Sequence, residues 1–212
     1  MDRFSLIVDF YKKHTDIMVN KDEIRESVLK VAQEIFTRFG FHKTTMDDIA
    51  RGMGKGKSSI YYYFNSKEDI FRAVVEKELG DLRNKIISSV SEAKGPKEKL
   101  KAYVIERMQG LRNLVNLFNV LRTEFITQRD FTDQIRMKTD EEEINIVRSI
   151  LDEGVLDRIF HLEDTFLTAV AIVTALKGME VPLVVSQVNK ESHLEMTLDR
   201  LLDVLFYGIL KR

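Results

Sequence analysis

The chain has 212 residues, and its 33 Lys+Arg stand against 34 Asp+Glu for a formal net charge of −1, so bulk charge announces neither a nucleic-acid nor a membrane partner. Cysteine is absent, which excludes disulfides, thiol catalysis, iron–sulfur clusters and thiolate zinc sites. Two prolines and ten glycines leave room for few loops, and 44% hydrophobic with 32% charged residues suits amphipathic helices and argues against disorder.

No apolar run approaches the ~18 residues of a membrane span. The first residues carry Asp2 and Asp9 and lack a small-residue cleavage site, so they do not read as a signal peptide, and a cytoplasmic location is expected. Residues 1–20, with Phe4, Leu6, Ile7, Val8, Phe10 and Tyr11, read as an N-terminal extension that could form a short helix; no role is assigned to it. The first firm helix is predicted from Lys21 to Phe39, where Ile24, Val28, Val31, Ala32, Ile35 and Phe39 recur on one face and Gly40 supplies the stop. Thr45 with Asp48 makes a capping box for a short helix from Met46 to Gly52. Gly52, Gly54 and Gly56 then make a turn, and a third short helix follows from Lys57 to Tyr63. Ser66 with Asp69 opens a long helix to about Val90, its apolar residues Ile70, Phe71, Val74, Val75, Leu82, Ile86 and Val90 mainly at helical spacing.

Gly95-Pro96 punctuates the chain, with proline suited to a first helical turn. Five more helices are predicted over 97–111, 113–127, 130–153, 164–180 and 190–210, with Gly154 and Pro182 as breaks. No alternating strand pattern and no internal repeat is found. The expectation is an all-α fold of about nine helices, plus a possible one at the N-terminus.

Residues 44–67, TTMDDIARGMGKGKSSIYYYFNSK, carry the chemistry. A short helix after a tight turn can place its first residues in the major groove of DNA, as in a helix-turn-helix. Lys57, Ser58 and Ser59 stand at that position; lysine reaches guanine acceptors or phosphate, and serine pairs with several base edges. Tyr61, Tyr62 and Tyr63 follow, with hydroxyls that donate to phosphate and rings that pack on sugars or thymine methyls. The helix starts at Thr45 and Ser66 add N–H groups that attract phosphate. Residues 21–67 hold nine Lys/Arg and six Asp/Glu, a local +3 in a chain of −1.

With these residues in that order, the segment resembles a TetR-type transcriptional regulator. The resemblance rests on Phe39-Gly40, Thr44-Thr45, Asp48-Ile49-Ala50, Gly54, Ile60-Tyr61-Tyr62-Tyr63-Phe64 and Ser66-Lys67 and covers residues 24–71. Beyond it the match is one of layout, with Leu176-Lys177-Gly178-Met179 and the stretch Leu202 to Leu210 similar to how the body of such regulators ends. Two departures stand out: Gly56 where the family often has serine, and Lys55 where it has a small apolar residue.

The resemblance implies an N-terminal three-helix head (21–67) that binds DNA, then a C-terminal body (68–212) for ligand binding and dimerisation, entered through a long linking helix that acts as a lever. It also implies that Thr45 and Lys67 touch phosphate, that Lys57, Ser58 and Ser59 face bases, that Tyr61 and Tyr63 hold phosphates, and that Tyr62 meets sugar or a thymine methyl. Thr44 and Lys55 complete the expected DNA-contact set. The body would hold an apolar pocket in the region 97–180, for which Tyr103, Arg107, Met108, Phe118, Arg122, Phe125 and Phe166 are candidates. The expected function is a homodimeric repressor, paired through its last two helices and released from a pseudo-palindromic operator by a small apolar ligand. Two alternatives stay open: a helical small-molecule-binding protein with a vestigial head, or a regulator that answers a protein partner.

Other motifs yield less. Gly56-Lys57-Ser58 ends like a phosphate-binding loop, but the first glycine of that motif would fall on Arg51 and a helix precedes it instead of a strand. The run Asp140-Glu141-Glu142-Glu143 reads as a solvated helix face. His14, His42, His161 and His193 lack metal spacing, and no nucleophile motif is present, so no metal, no cofactor and no catalytic residue is expected.

Overall fold

The computed structural model describes residues 3–112, 114, 129–180 and 191–209. Among these residues it is all-α, with eight helices in chain order: α1 (Arg3–Phe39), α2 (Met46–Gly52), α3 (Lys57–Tyr61), α4 (Lys67–Glu92), α5 (Pro96–Arg112), α6 (Arg129–Leu156), α7 (Thr165–Glu180) and α8 (Glu191–Ile209). The helix expected over 113–127 and the break expected at Pro182 lie outside the described residues.

The chain divides into two compact units, Met1–Lys77 and Glu78–Arg212. This division falls ten residues beyond the expected boundary after Lys67, because the first turns of α4 belong to the N-terminal unit. In that unit Val28, Leu29, Ala32 and Phe36 of α1, Ile49 and Ala50 of α2, Ile60 of α3 and Ile70, Phe71 and Val74 of α4 are buried. Phe71 packs edge-on against Phe36 at 5.2 Å and against Phe41 at 4.9 Å between ring centroids. Each such pair adds to the apolar burial that holds the start of α4 against α1 and the loop after it.

Two expectations about α1 are corrected. The helix does not start at Lys21 but is continuous from Arg3, in line with the absence of any glycine or proline between these positions. Among its described side chains, from Lys21 on, the buried stripe is Val28, Leu29, Ala32 and Phe36, whereas Phe39 is exposed, with the Arg38 guanidinium over its ring at 5.2 Å. Gly40 ends the helix as expected: its N–H donates to the Phe36 carbonyl at 2.8 Å, and its φ of 81° is in the left-handed region that favours glycine.

In the C-terminal unit Leu82 and Ile86 of α4 join Leu100, Tyr103, Val104 and Met108 of α5, Val147, Ile150 and Leu151 of α6, Ile172, Val173 and Leu176 of α7, and Leu198, Leu202 and Phe206 of α8 in one apolar core. Pro96 is the first residue of α5. Asp164 caps α7, its carboxylate accepting from the Leu167 N–H at 2.9 Å.

Gly154 is not the expected break, because α6 runs on to Leu156. Its carbonyl accepts from both Ile159 and Phe160 N–H at 2.9 Å as the chain turns, and the left-handed residue of that turn is Arg158, at φ 59°. The glycine serves packing instead: a Cβ there would lie 2.1 Å from the Phe160 ring.

Candidate nucleic-acid interface

The N-terminal unit builds its candidate site on α2, the turn after it and α3. Thr45 has extended backbone and caps α2 as the sequence predicts. Its Oγ1 accepts from the Asp48 N–H at 3.2 Å, its own N–H donates to Asp48 Oδ2 at 2.9 Å, and its hydroxyl donates to the same oxygen at 2.6 Å. These hydrogen bonds from Thr45, side chain first and backbone next, hold the Asp48 carboxyl below its ordinary value, with Arg51 assisting. A depressed carboxylate stabilises the fold above the unfolded pKa, and that contribution is lost as pH falls through the folded pKa. The capping box should therefore open only under acid conditions below the usual carboxylate range, and Asp48→Asn should remove that acid step; amide exchange at Ile49 and Ala50 followed against pH would show it.

The Gly52 Cα leaves no room for a side chain, since a Cβ would stand 2.8 Å from Val31 Cγ1. This close approach sets α2 down on α1. Gly54 then turns the chain with φ 63°. Gly56 precedes α3 with no side-chain cap, as its departure from serine implies. Ile60 is fully buried and pins the short helix to the unit, with Phe64 buried one turn on.

With Ile60 inward, Lys55, Lys57, Ser58, Ser59, Tyr61 and Tyr62 are all exposed, and Tyr63 and Lys67 are half-buried. Tyr62 is 69% exposed, unusual for a large ring, and is held by the Lys21 ammonium at 5.3 Å from its centroid and by Tyr63 edge-on at 5.0 Å. Lys57 Nζ lies 3.2 Å from Asp47 Oδ2. Arg51 and Asp48 pair at 2.6 Å on the neighbouring turn.

Two expected contacts are placed otherwise. Thr44 is buried, and its hydroxyl donates back to the Gly40 carbonyl at 2.8 Å, so its side chain serves the turn and does not reach the surface. The Lys67 ammonium donates to the Phe41 carbonyl at 2.9 Å and sits 4.2 Å from the Phe41 ring centroid, which ties the start of α4 to the loop after α1. The Asp47–Lys57 pair escaped the sequence reading: the two residues sit ten apart across a turn, and nothing in the sequence pairs them.

Of the candidates in the C-terminal unit, the four described ones are not gathered in one place. Tyr103, Arg107 and Met108 are fully buried on α5. Phe166 is 46% exposed, with the Arg148 guanidinium 5.8 Å from its centroid, so it belongs to the surface and not to an internal pocket. Phe118, Arg122 and Phe125 lie outside the described residues.

The acidic run departs from expectation too. Glu143 is buried, its Oε2 accepting from Arg107 Nε at 2.8 Å and from the Tyr103 hydroxyl at 3.2 Å, and Asp140 pairs with Lys177. Burial first, and the Glu143 charge next, push the Tyr103 hydroxyl far above its ordinary value, so it stays neutral and donates. Glu143 shares its face with Val147, Ile150 and Leu151, a three-and-four spacing that could have placed it inward. Among the described residues no group of acids and histidines could hold a metal ion, and no helix is long and apolar enough to cross a membrane.

Comparison with known proteins places this geometry. Residues 28–74 match the family described as bacterial regulatory proteins, tetR family. Over 107 residues, half of this chain and 52% of the other, the sequence is 29% identical to the uncharacterized helix-turn-helix-type transcriptional regulator YfiR of Bacillus subtilis. Over 131 residues, 60% of this chain and 66% of the other, it is 28% identical to the fatty acid metabolism regulator protein of the same organism. The chain thus spans about half to two thirds of the length of these curated relatives. A transcriptional regulator from Cytophaga hutchinsonii superposes with a TM-score of 0.74 at 29% identity, covering 88% of this chain and 98% of that one.

Proposed function

Because this chain belongs to the TetR family of transcriptional regulators, we propose that it is a sequence-specific DNA-binding regulator that reads a pseudo-palindromic operator as a homodimer. The observation that carries the reading is α3, where Ile60 is buried and every residue from Lys57 to Tyr62 except Ile60 is exposed. This leaves a lysine, two hydroxyls and two phenols on one short helix and its C-cap, of the size that enters a major groove. Lys57, Ser58 and Ser59 would meet base edges. Tyr61, Tyr62 and Tyr63 would meet the sugar–phosphate backbone, joined by Lys55 and by the Thr45 end of α2. Lys67, tied to Phe41, would act mainly by fixing α4 to the head.

The dimer is supported by the last two helices. The α7 residues Leu167, Ala171, Thr174, Ala175 and Gly178 are exposed at three- and four-residue spacing, a strip of small and apolar side chains with the core residues Ile172, Val173 and Leu176 on the other face. The α8 residues Met196, Val204 and Tyr207 are exposed as well. Such faces suit helix-on-helix packing against a second copy, and a pseudo-palindromic operator with half-sites one helical turn apart, ~34 Å, would mirror that symmetry.

The further reading is a repressor that a small apolar ligand releases. It is supported by the Bacillus subtilis relative named as a fatty acid metabolism regulator and by a C-terminal unit whose aliphatic core encloses polar groups, Tyr103, Arg107 and Glu143. A ligand shifts such an equilibrium only by its differential affinity for the two states.

The test of DNA binding is a selection from random duplexes followed by affinity measurement against salt. Enrichment of one pseudo-palindrome, with log affinity falling by about 0.9 per phosphate contact as log salt rises, is the expected result. Failure to enrich any sequence would favour the vestigial head. Long-chain acids, added to the selected complex, should release the duplex; unchanged affinity would remove the ligand part alone.

A further inference from the structure

We propose that Asp47 is a specificity-determining residue of the head, acting through Lys57; the inference rests on the DNA-binding reading above. Asp47 is the second residue of α2 and Lys57 the first of α3, and Lys57 Nζ donates to Asp47 Oδ2 at 3.2 Å with both side chains about half exposed, at 49% and 55%. The neighbouring acid, Asp48, is committed to the capping box and to Arg51. Asp47 has no capping duty, and its exposed carboxylate meets Lys57.

A carboxylate on a surface that meets a polyanion weakens binding to every duplex. Beside Lys57 the effect becomes selective. One of the three ammonium donors is engaged by Asp47, which fixes where the other two point. A duplex with a base acceptor at that point can be read with the pair intact. On any other duplex the flexible lysine would have to swing to a phosphate, which breaks the pair and leaves Asp47 unpaired in the field of the backbone. The pair thus penalises non-cognate DNA more than the operator, a design in which discrimination comes from a repulsive element as well as an attractive one.

The test uses the full chain and its Asp47→Asn variant, which keeps size and an acceptor oxygen but loses the charge. Affinity for the selected operator and for a random duplex is measured at matched salt, alone and in the Lys57→Ala background. The pair is exposed, so the variant should fold and melt as the parent does. Asp47→Asn should tighten random-duplex binding by roughly threefold to tenfold and operator binding by less than twofold. In the Lys57→Ala background the same change should tighten both duplexes equally. An equal gain on both duplexes in the parent background, or no gain on either, overturns the proposal while leaving the regulator reading standing. A parent chain that binds no duplex overturns both.

Discussion

Glu143→Ala should destabilise the C-terminal unit by about 3–5 kcal/mol, the range for removing one partner of a buried ion pair. Arg107 is 1% exposed and Tyr103 fully buried, so the change takes an anionic acceptor away from a buried guanidinium and a buried hydroxyl at once. Arginine cannot escape by losing its proton at any accessible pH, which makes this loss larger than for a lysine in the same place. The Tyr103 hydroxyl, kept neutral by burial, would lose its acceptor at the same time. Replacing both members by apolar residues, Arg107→Met with Glu143→Leu, should recover most of the loss, because a well-packed apolar pair avoids desolvating two charges. Urea unfolding of the single and double variants measures both quantities. A single variant that loses less than about 1 kcal/mol would mean that the Arg107 charge is compensated without Glu143 and that the pair is not structural.

Gly154→Ala should cost about 2–3 kcal/mol, at the upper end of the usual range for overpacking. The added Cβ would stand 2.1 Å from one Phe160 ring carbon and 2.5 Å from the next, and that ring is itself buried at 3% exposure. A ring edge cannot fold away as the tip of a leucine can. The contrast is Gly110, where the atom met is Leu82 Cδ1, the far end of a flexible side chain, and alanine should be tolerated better. Phe160→Leu should be harmful alone but should relieve part of the Gly154→Ala cost, giving a non-additive cycle by thermal unfolding. Strict additivity would show that the clash relaxes elsewhere.

The parts of the fold written in local sequence were legible. Thr45-x-x-Asp48, Gly40 and Gly95-Pro96 set helix ends through capping, a left-handed stop and a proline at the first turn, and each acts within four residues of itself. The start of α1 was legible but misjudged, since a stretch with no glycine or proline gives a helix no reason to begin at Lys21. Glu143 was misplaced because four adjacent acids look solvated, although only one of them shares the inward face of Val147 and Ile150. Gly154 could not be understood locally, because its reason is the ring of a residue that returns from the following turn.

The candidate interface divides in the same way. The residue types of α3 and the inward turn of Ile60 follow from helical periodicity. What the sequence does not contain is tertiary: the burial of Thr44 against Gly40, the tie from Lys67 to Phe41 and the closure of Asp47 on Lys57 all join separate elements.

The measurement that bears most directly on the regulator reading is the affinity of the purified chain for its selected duplex at two salt concentrations, beside Tyr61→Ala. Tyr61 is exposed and carries no part of the head's core, so its loss should leave the fold intact. The account predicts tight binding that weakens steeply with salt and drops at least tenfold in the variant, from one lost backbone contact in each of two heads. Binding that ignores sequence and salt, or that is unchanged by Tyr61→Ala, would contradict it.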